Sequence, residues 1–201
     1  MANRNQEMVR QNIEILSPSG YAALLHLKFM GASQTRITYP EEWQQAYIAE
    51  GLTPADPVFN WCFGHTGSIR WSEIDLPDPQ NVLERGKAYG LHFGVAVTVS
   101  LEGSKSMFSF ARADREYTND EVALLENLAQ QYHLNSLVAA KLSAEEIEAA
   151  AMRAKYNAPE AAEVIGISLP GLNKRLASLR AKLDAQDTTH AIVILKESGV
   201  I

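Results

Sequence analysis

The amino-acid sequence predicts an α+β domain, an antiparallel sheet with helices packed on its faces, followed by an all-α domain of four helices arranged as a helix-turn-helix. Three observations predict it. Alternating or β-branched apolar runs at 21–29, 94–101 and 106–111 read as strands. Helical periodicities with caps lie between and after them, at 41–51, 81–89 and from Thr118 onward. From Leu142 the strand signals cease, and four helix starts follow one another.

In the first strand Leu25, Leu27 and Phe29 alternate with His26 and Lys28, the period of a half-buried strand. Pro40 opens a helix in which Trp43, Ala46, Tyr47 and Ala49 recur at helical spacing, and Gly51 ends it. Pro54, Asp56 and Pro57 mark a turn, 58–63 is a further apolar segment, 68–71 a short strand, and 75–79, with two prolines, a loop. Residues 81–89 form another helix, ended by Gly90. The strands 94–101 and 106–111 then make a hairpin through a turn at Glu102 and Gly103. Thr118-Asn-Asp-Glu121 is a capping box, and Val122, Leu125, Leu128, Ala129 and Tyr132 follow on one helical face. The first domain is expected to span 1–135 and a linker 136–141.

The remainder, 142–201, carries capping residues at Ser143 (with Glu146), Asn157 (with Glu160), Ser168 and Asp187. Its middle pair reads as a helix over 160–165, a tight turn at 166–168, and a helix over 169–183, the spacing of a DNA-binding helix-turn-helix. Leu172, Leu176, Leu179 and Leu183 form the inward stripe of the second helix. Asn173, Lys174, Arg175 and Lys182 lie on its outer surface, with Arg180 nearer the other edge, and no acidic residue falls between 168 and 183. Such a face suits phosphates and guanine edges of double-stranded DNA, a reading the local charge asymmetry favours over the solvated surface of a small helical domain.

Composition sets the limits. A chain of 201 residues holds two modest domains, and 46% hydrophobic with 21% charged residues is the make-up of an ordinary soluble protein. Residues 1–12 are polar with no apolar run behind them, and no window reaches the roughly 20 apolar residues of a membrane span, so a cytoplasmic location without membrane partners is expected. Cys62 is the sole cysteine, which excludes an intrachain disulfide and a cysteine-built metal site. A net charge of −6 excludes a general nucleic-acid coat protein, so any DNA contact is local.

Tyr39, Trp43 and Tyr47 are one helical turn apart, and with a helix beginning slightly ahead of Pro40 all three face one space. An indole N–H, two phenols and the Asp56 carboxylate suit a pocket for a small amphiphile. On pattern alone the favoured reading is the plainer one, with the aromatics as core and Asp56 as a turn residue.

At this point the chain resembles the LuxR family of quorum-sensing regulators. Tyr39-Pro-Glu-Glu-Trp43, Tyr47, Ala55-Asp56-Pro57, Trp71 and Gly94 match, in order and spacing, that family's signal-binding series. Leu142-Ser-Ala-Glu-Glu-Ile-Glu148, Ala161-Ala-Glu-Val-Ile-Gly-Ile-Ser168, 179–183 and 189–201 resemble its C-terminal domain. Gly171-Leu172 stand where the family has Thr-Val, and Arg175 where it often has His. The resemblance implies an N-acyl-homoserine lactone as ligand and no cofactor. Trp43 would donate to the lactone carbonyl, Asp56 accept from the acyl amide, and Tyr39 donate to the acyl carbonyl. Tyr47 and Trp71 would wall the cavity, and Ser109 would add a polar contact. It implies a homodimer on a palindromic DNA site, with the helix from Thr118 as the subunit contact, since Leu124 and Leu137 fall off its main stripe. An enzyme is not expected: the five histidines are scattered, with no HExxH pairing and no G-x-S-x-G elbow. A rival reading keeps the fold and drops DNA binding, because seven basic side chains meet eight acidic ones over 142–201. The protein would then be an antagonist that heterodimerises with a full regulator.

Overall fold

The computed structural model describes residues 4–28, 31–101 and 103–201, with the side chains of 4–6 and Lys28 left aside. Phe29 and Glu102, which the sequence assigns to a strand and a turn, lie outside the described residues, as do Met30 and residues 1–3. The chain divides into two compact units, Val9–His133 and a second whose bulk is Leu134–Ile201.

The first unit is built on a five-stranded antiparallel sheet in the order β2-β1-β5-β4-β3, formed by β1 (Tyr21–Lys28), β2 (Gly31–Ile37), β3 (Gly67–Arg70), β4 (Phe93–Leu101) and β5 (Ser104–Arg112). Helices α1 (Arg4–Leu16) and α5 (Asn119–Ala140) supply Val9, Ile13, Leu125, Leu128, Ala129 and Tyr132 to a core against one face. Helices α2 (Glu41–Ala49), α3 (Pro57–Gly64) and α4 (Val82–Lys87) supply Trp43, Val58, Trp61, Cys62 and Val82 to a second core on the opposite face. The α+β class expected from the sequence is the observed one.

The two faces of the sheet differ in side-chain size. Tyr21, Leu25, Val95, Val97, Phe108 and Phe110 pack against α1 and α5. On the other face the register sets Ala22 opposite Ser109 and Ser109 opposite Ala96, with Gly94 opposite Ala111. A row of small residues leaves room there that larger ones would fill.

Several elements differ from expectation. Strand β2 is not among the strands the sequence predicts: it is an edge strand, mostly exposed, and the run Gly-Ala-Ser-Gln-Thr-Arg-Ile has no alternation to betray it. Helix α1 has no legible pattern in the sequence because Val9, Ile13 and the partly buried Leu16 are diluted by eight polar or charged neighbours within Arg4–Leu16. The segment 58–63 is helix, started by Pro57 at its first position and capped by the Asp56 carboxylate accepting from the Val58 N–H. Trp71 is not the end of a strand but opens a 3-10 turn, Trp71–Glu73. His26, expected on the solvent side of its strand, is buried and has φ +52°. Its N–H is taken by Ser106 Oγ at 3.0 Å, and beyond it Leu27 packs toward the pocket-side core. Residues 136–140, expected as linker, continue α5, since no glycine or proline interrupts Leu134–Ala140.

Within the second unit α6 (Ala144–Arg153), α7 (Ala158–Ile165), α8 (Leu169–Leu183) and α9 (Thr188–Glu197) share one core of Ala149, Ala150, Ala161, Ala162, Leu172, Leu176, Leu179, Ala191 and Leu195. Reciprocal capping boxes at Ser143/Glu146 and Asn157/Glu160 open α6 and α7. Gly166, at φ +75°, terminates α7 in the left-handed conformation that glycine adopts without strain. Among the described residues no helix is long and apolar enough to cross a membrane.

Candidate functional site

Between the small-residue face of the sheet and helices α2 to α4 lies a cavity of about 270 Å³. Its walls include all six residues singled out for ligand binding: Tyr39, Trp43, Tyr47, Asp56, Trp71 and Ser109. Ala22, Leu24, Ile37, Val58, Phe59, Cys62, Val82, Leu83 and Met107 make the rest mainly apolar. The volume falls near the lower end of the usual small-molecule range of about 300–1,000 Å³.

The aromatic residues reach the cavity from different backbone positions. Trp43 and Tyr47 project from α2 one turn apart, with ring centroids 5.7 Å apart in an edge-on arrangement, and Tyr89 lies 5.4 Å from Trp43 on another side. The helix does not begin early enough to include Tyr39, because Pro40 stays extended at ψ 136°. Tyr39 reaches the same space from the segment leaving β2, and Gln44 Nε2 donates to its carbonyl at 2.7 Å. Trp71 enters from the 3-10 turn after β3 and is buried, with no hydrogen-bond partner for its indole N–H among the described residues.

The polar groups are already partly engaged. Tyr39 Oη donates to the Ser109 carbonyl at 2.6 Å, a strut from the α2 side to the middle of β5. Burial pushes the Tyr39 phenol well above its ordinary range, with Ser109 opposing, so the hydroxyl stays a neutral donor. Tyr47 Oη donates to Asp56 Oδ2 at 2.7 Å, and the Val58 N–H donates to Oδ1 at 2.8 Å. Burial raises the Asp56 carboxyl, while Tyr47 and the Val58 and Phe59 amides pull the other way. A carboxylate offers about four lone-pair sites, more than these donors occupy. Burial likewise pushes the Cys62 thiol up to about 12, an inert wall rather than a nucleophile.

Sequence reading missed the lining residues without special chemistry, Ala22, Cys62 and Met107 among them. On β5 the signal is alternation of size rather than polarity: in Met-Phe-Ser-Phe-Ala the two phenylalanines pack toward α1 and α5, and the smaller or slimmer residues between them face the cavity side.

In the second unit the outer surface of α8 is less basic than its own sequence suggests. Lys182 Nζ lies 2.8 Å from Glu146 Oε2, and Ser178 Oγ donates to Glu146 Oε1 at 2.6 Å. Burial raises the Glu146 carboxyl, but Lys182, Ser178 and the Ser143 amide outweigh it and hold the group down at about 2. Arg175 faces Glu148 at 3.4 Å. The acidic partners come from α6, invisible to a count restricted to 168–183. Asn173 and Lys174 are exposed, with no side-chain partner among the described residues.

Residues 21–136 match the family model of the autoinducer binding domain. No curated protein sequence matches the chain. Among solved structures, SdiA in complex with octanoyl-rac-glycerol aligns with a TM-score of 0.53 at 22% identity, over 97% of this chain and 89% of that one. Escherichia coli SdiA crystallised in space group P6522 aligns with a TM-score of 0.53 at 23% identity, over 98% of this chain and 92% of that one. At these identities the likeness is one of fold.

Proposed function

The chain belongs to the autoinducer-binding family of LuxR-type regulators, a ligand-binding rather than an enzyme family, and on that premise we propose that it is a signal-responsive transcriptional regulator. Its N-terminal domain takes an N-acyl-homoserine lactone, and its C-terminal helices 142–201 form a helix-turn-helix that binds a palindromic promoter site as a homodimer. The observation that carries this reading is the gathering of Tyr39, Trp43, Tyr47, Asp56, Trp71 and Ser109 around one mainly apolar cavity.

In this reading the Trp43 indole donates to the lactone carbonyl and a free lone pair of Asp56 accepts the acyl amide N–H. Tyr39 donates to the acyl carbonyl only by exchanging its bond to Ser109, which leaves the Ser109 hydroxyl as the more available donor. Filling the cavity stabilises the folded state by about 2.7 kcal/mol at a hundredfold excess over Kd. Two-fold pairing through the helix from Thr118 then presents two copies of α8 to successive major grooves.

The ion pairs of Lys182 and Arg175 favour a second reading, in which DNA affinity is low and the protein acts as an antagonist by heterodimerising with a full regulator. One experiment separates them: fluorescence anisotropy of the full chain on palindromic DNA, with and without N-octanoyl-homoserine lactone, over a salt series. Salt-dependent binding that strengthens with lactone is expected. Binding that is flat with salt overturns the regulator reading, and a melting temperature unmoved by the lactone overturns the sensor reading.

The octanoyl-rac-glycerol in SdiA makes a neutral glycerol ester a sensible second compound for the same titration.

A further inference from the structure

The cavity has an unbalanced electrostatic lining. Among the described wall residues Asp56 is the only carboxyl group, and no lysine, arginine or histidine stands beside it. The groups that bear on the carboxylate are Tyr47 from α2, Tyr39 ahead of that helix, Cys62 on α3 and Asp78 from the loop before α4. They are neutral hydroxyls, a neutral thiol and a second acid. Burial raises the carboxyl, and the donors it accepts from, the Tyr47 O–H and the Val58 and Phe59 N–H groups, oppose that shift and favour its ionised form.

We infer that Asp56 is a head-group charge filter: the cavity accepts single-chain amphiphiles whose head is a neutral hydrogen-bond donor and rejects carboxylates with the same tail. This rests on the proposal that the cavity is the ligand site, and extends it from one signal to a rule of exclusion. Apolar walls such as Ala22, Leu24, Ile37, Val82, Leu83 and Met107 grip any alkyl chain alike, so the tail cannot tell a signal from a fatty acid. Discrimination has to come from the head, where an anion meets a like charge in a desolvated site with no cation to offset it. An N–H or O–H instead finds a waiting lone pair.

Exclusion by charge has a ceiling set by protonation. A fatty acid enters as the neutral acid once it takes up a proton, and with an ordinary carboxyl pKa near 4.3 the penalty at pH 7.5 is limited to about a thousandfold. It then falls roughly tenfold for each pH unit toward pH 5. Exclusion by shape has no such pH dependence.

The test uses an isosteric pair, decanamide and decanoate, titrated calorimetrically into the full chain, with N-octanoyl-homoserine lactone as reference ligand. At pH 7.5 decanamide is expected to bind at least about a hundredfold more tightly than decanoate, the ratio shrinking toward pH 5.5. In Asp56→Asn, which keeps a side-chain cap for α3, the ratio is expected to fall to within about tenfold. Decanoate binding as tightly as the amide at pH 7.5, or a ratio unchanged by Asp56→Asn, overturns the filter. Should Asp56→Asn not fold, the pH series on the unaltered protein decides, and a ratio flat from pH 7.5 to 5.5 overturns it. Lactone binding with neither decanoyl compound bound overturns the filter and leaves the sensor reading standing. No binding of any of the three overturns both.

Discussion

The indole of Trp71 lies on the bare α-carbon of Gly94: a β-carbon there would stand 2.1 Å from Cε2 and 2.2 Å from Cδ2 of the ring. Gly94 therefore acts through absence, letting a wall of the cavity lie flat on β4. Gly94→Ala is expected to destabilise the protein by about 1–3 kcal/mol by driving the ring off the strand, read by chemical denaturation. In a Trp71→Leu background the same substitution is expected to cost at least about 0.5 kcal/mol less. An equal cost in both backgrounds would show that the ring is not what Gly94 accommodates.

Asp56 serves two partners within the fold before any ligand arrives. Asp56→Ala removes the cap of α3, worth about 1 kcal/mol, and leaves the Tyr47 hydroxyl without its acceptor, worth about 1–3 kcal/mol where buried. A lower melting point without ligand and no rise with lactone are both expected. Asp56→Asn, which keeps an acceptor on the side chain, should recover most of the first loss.

How far the sequence was legible can be traced to particular residues. Capping boxes at Thr118/Glu121, Ser143/Glu146 and Asn157/Glu160 were readable because each depends on side chains three positions apart, and all three exist as reciprocal hydrogen bonds or their equivalent. The edge strand β2 was not readable, since its pairing with β1 is made by backbone groups while most of its side chains are exposed. The aromatic set and Asp56 were readable through resemblance and not through pattern. The cavity itself was not, because it is made by small residues on three strands brought into register over more than 80 positions of chain. The ion pairs on α8 were hidden for the same reason: Glu146 is 36 residues from Lys182.

His133 carries a pH dependence that can be signed. Burial lowers its pKa below the ordinary 6.5, with the Leu101 carbonyl opposing, and Nδ1 lies 2.8 Å from Ser106 Oγ. A group whose folded pKa is depressed takes up its proton more readily when unfolded, so stability is lost as the pH falls through 6.5 toward the lower folded value. A melting temperature that declines from pH 7 to 5 is expected, with a shallower decline in His133→Gln. The same slope in both proteins would assign the effect to other groups.

Glu146 and Lys182 set the last prediction, which concerns what each basic residue of α8 is for. The Glu146 carboxyl is held at about 2 against an ordinary 4.5, so its contribution is complete above pH 4.5 and is lost as the pH falls toward 2. Lys182 supports that carboxylate, and Lys182→Met is expected to lower stability by about 1 kcal/mol, exposure of the lysine screening the pair. Its effect on DNA affinity should follow from that loss of stability and vanish when binding is measured well below the melting point. Lys174 has no such duty: it is exposed and unpaired among the described residues. Lys174→Ala should leave the melting temperature within about 1 °C, a surface change of at most a few tenths of a kcal/mol. It should reduce the salt slope of DNA binding by about one phosphate contact. Arg175 stands between the two, since a phosphate must displace Glu148 to reach it, so Glu148→Gln should strengthen DNA binding while Arg175→Ala weakens it. If Lys182→Met reduces the salt slope as much as Lys174→Ala does at equal folded fraction, the division of labour drawn from the ion pairs is wrong, and the whole outer face of α8 reads as one phosphate-binding surface.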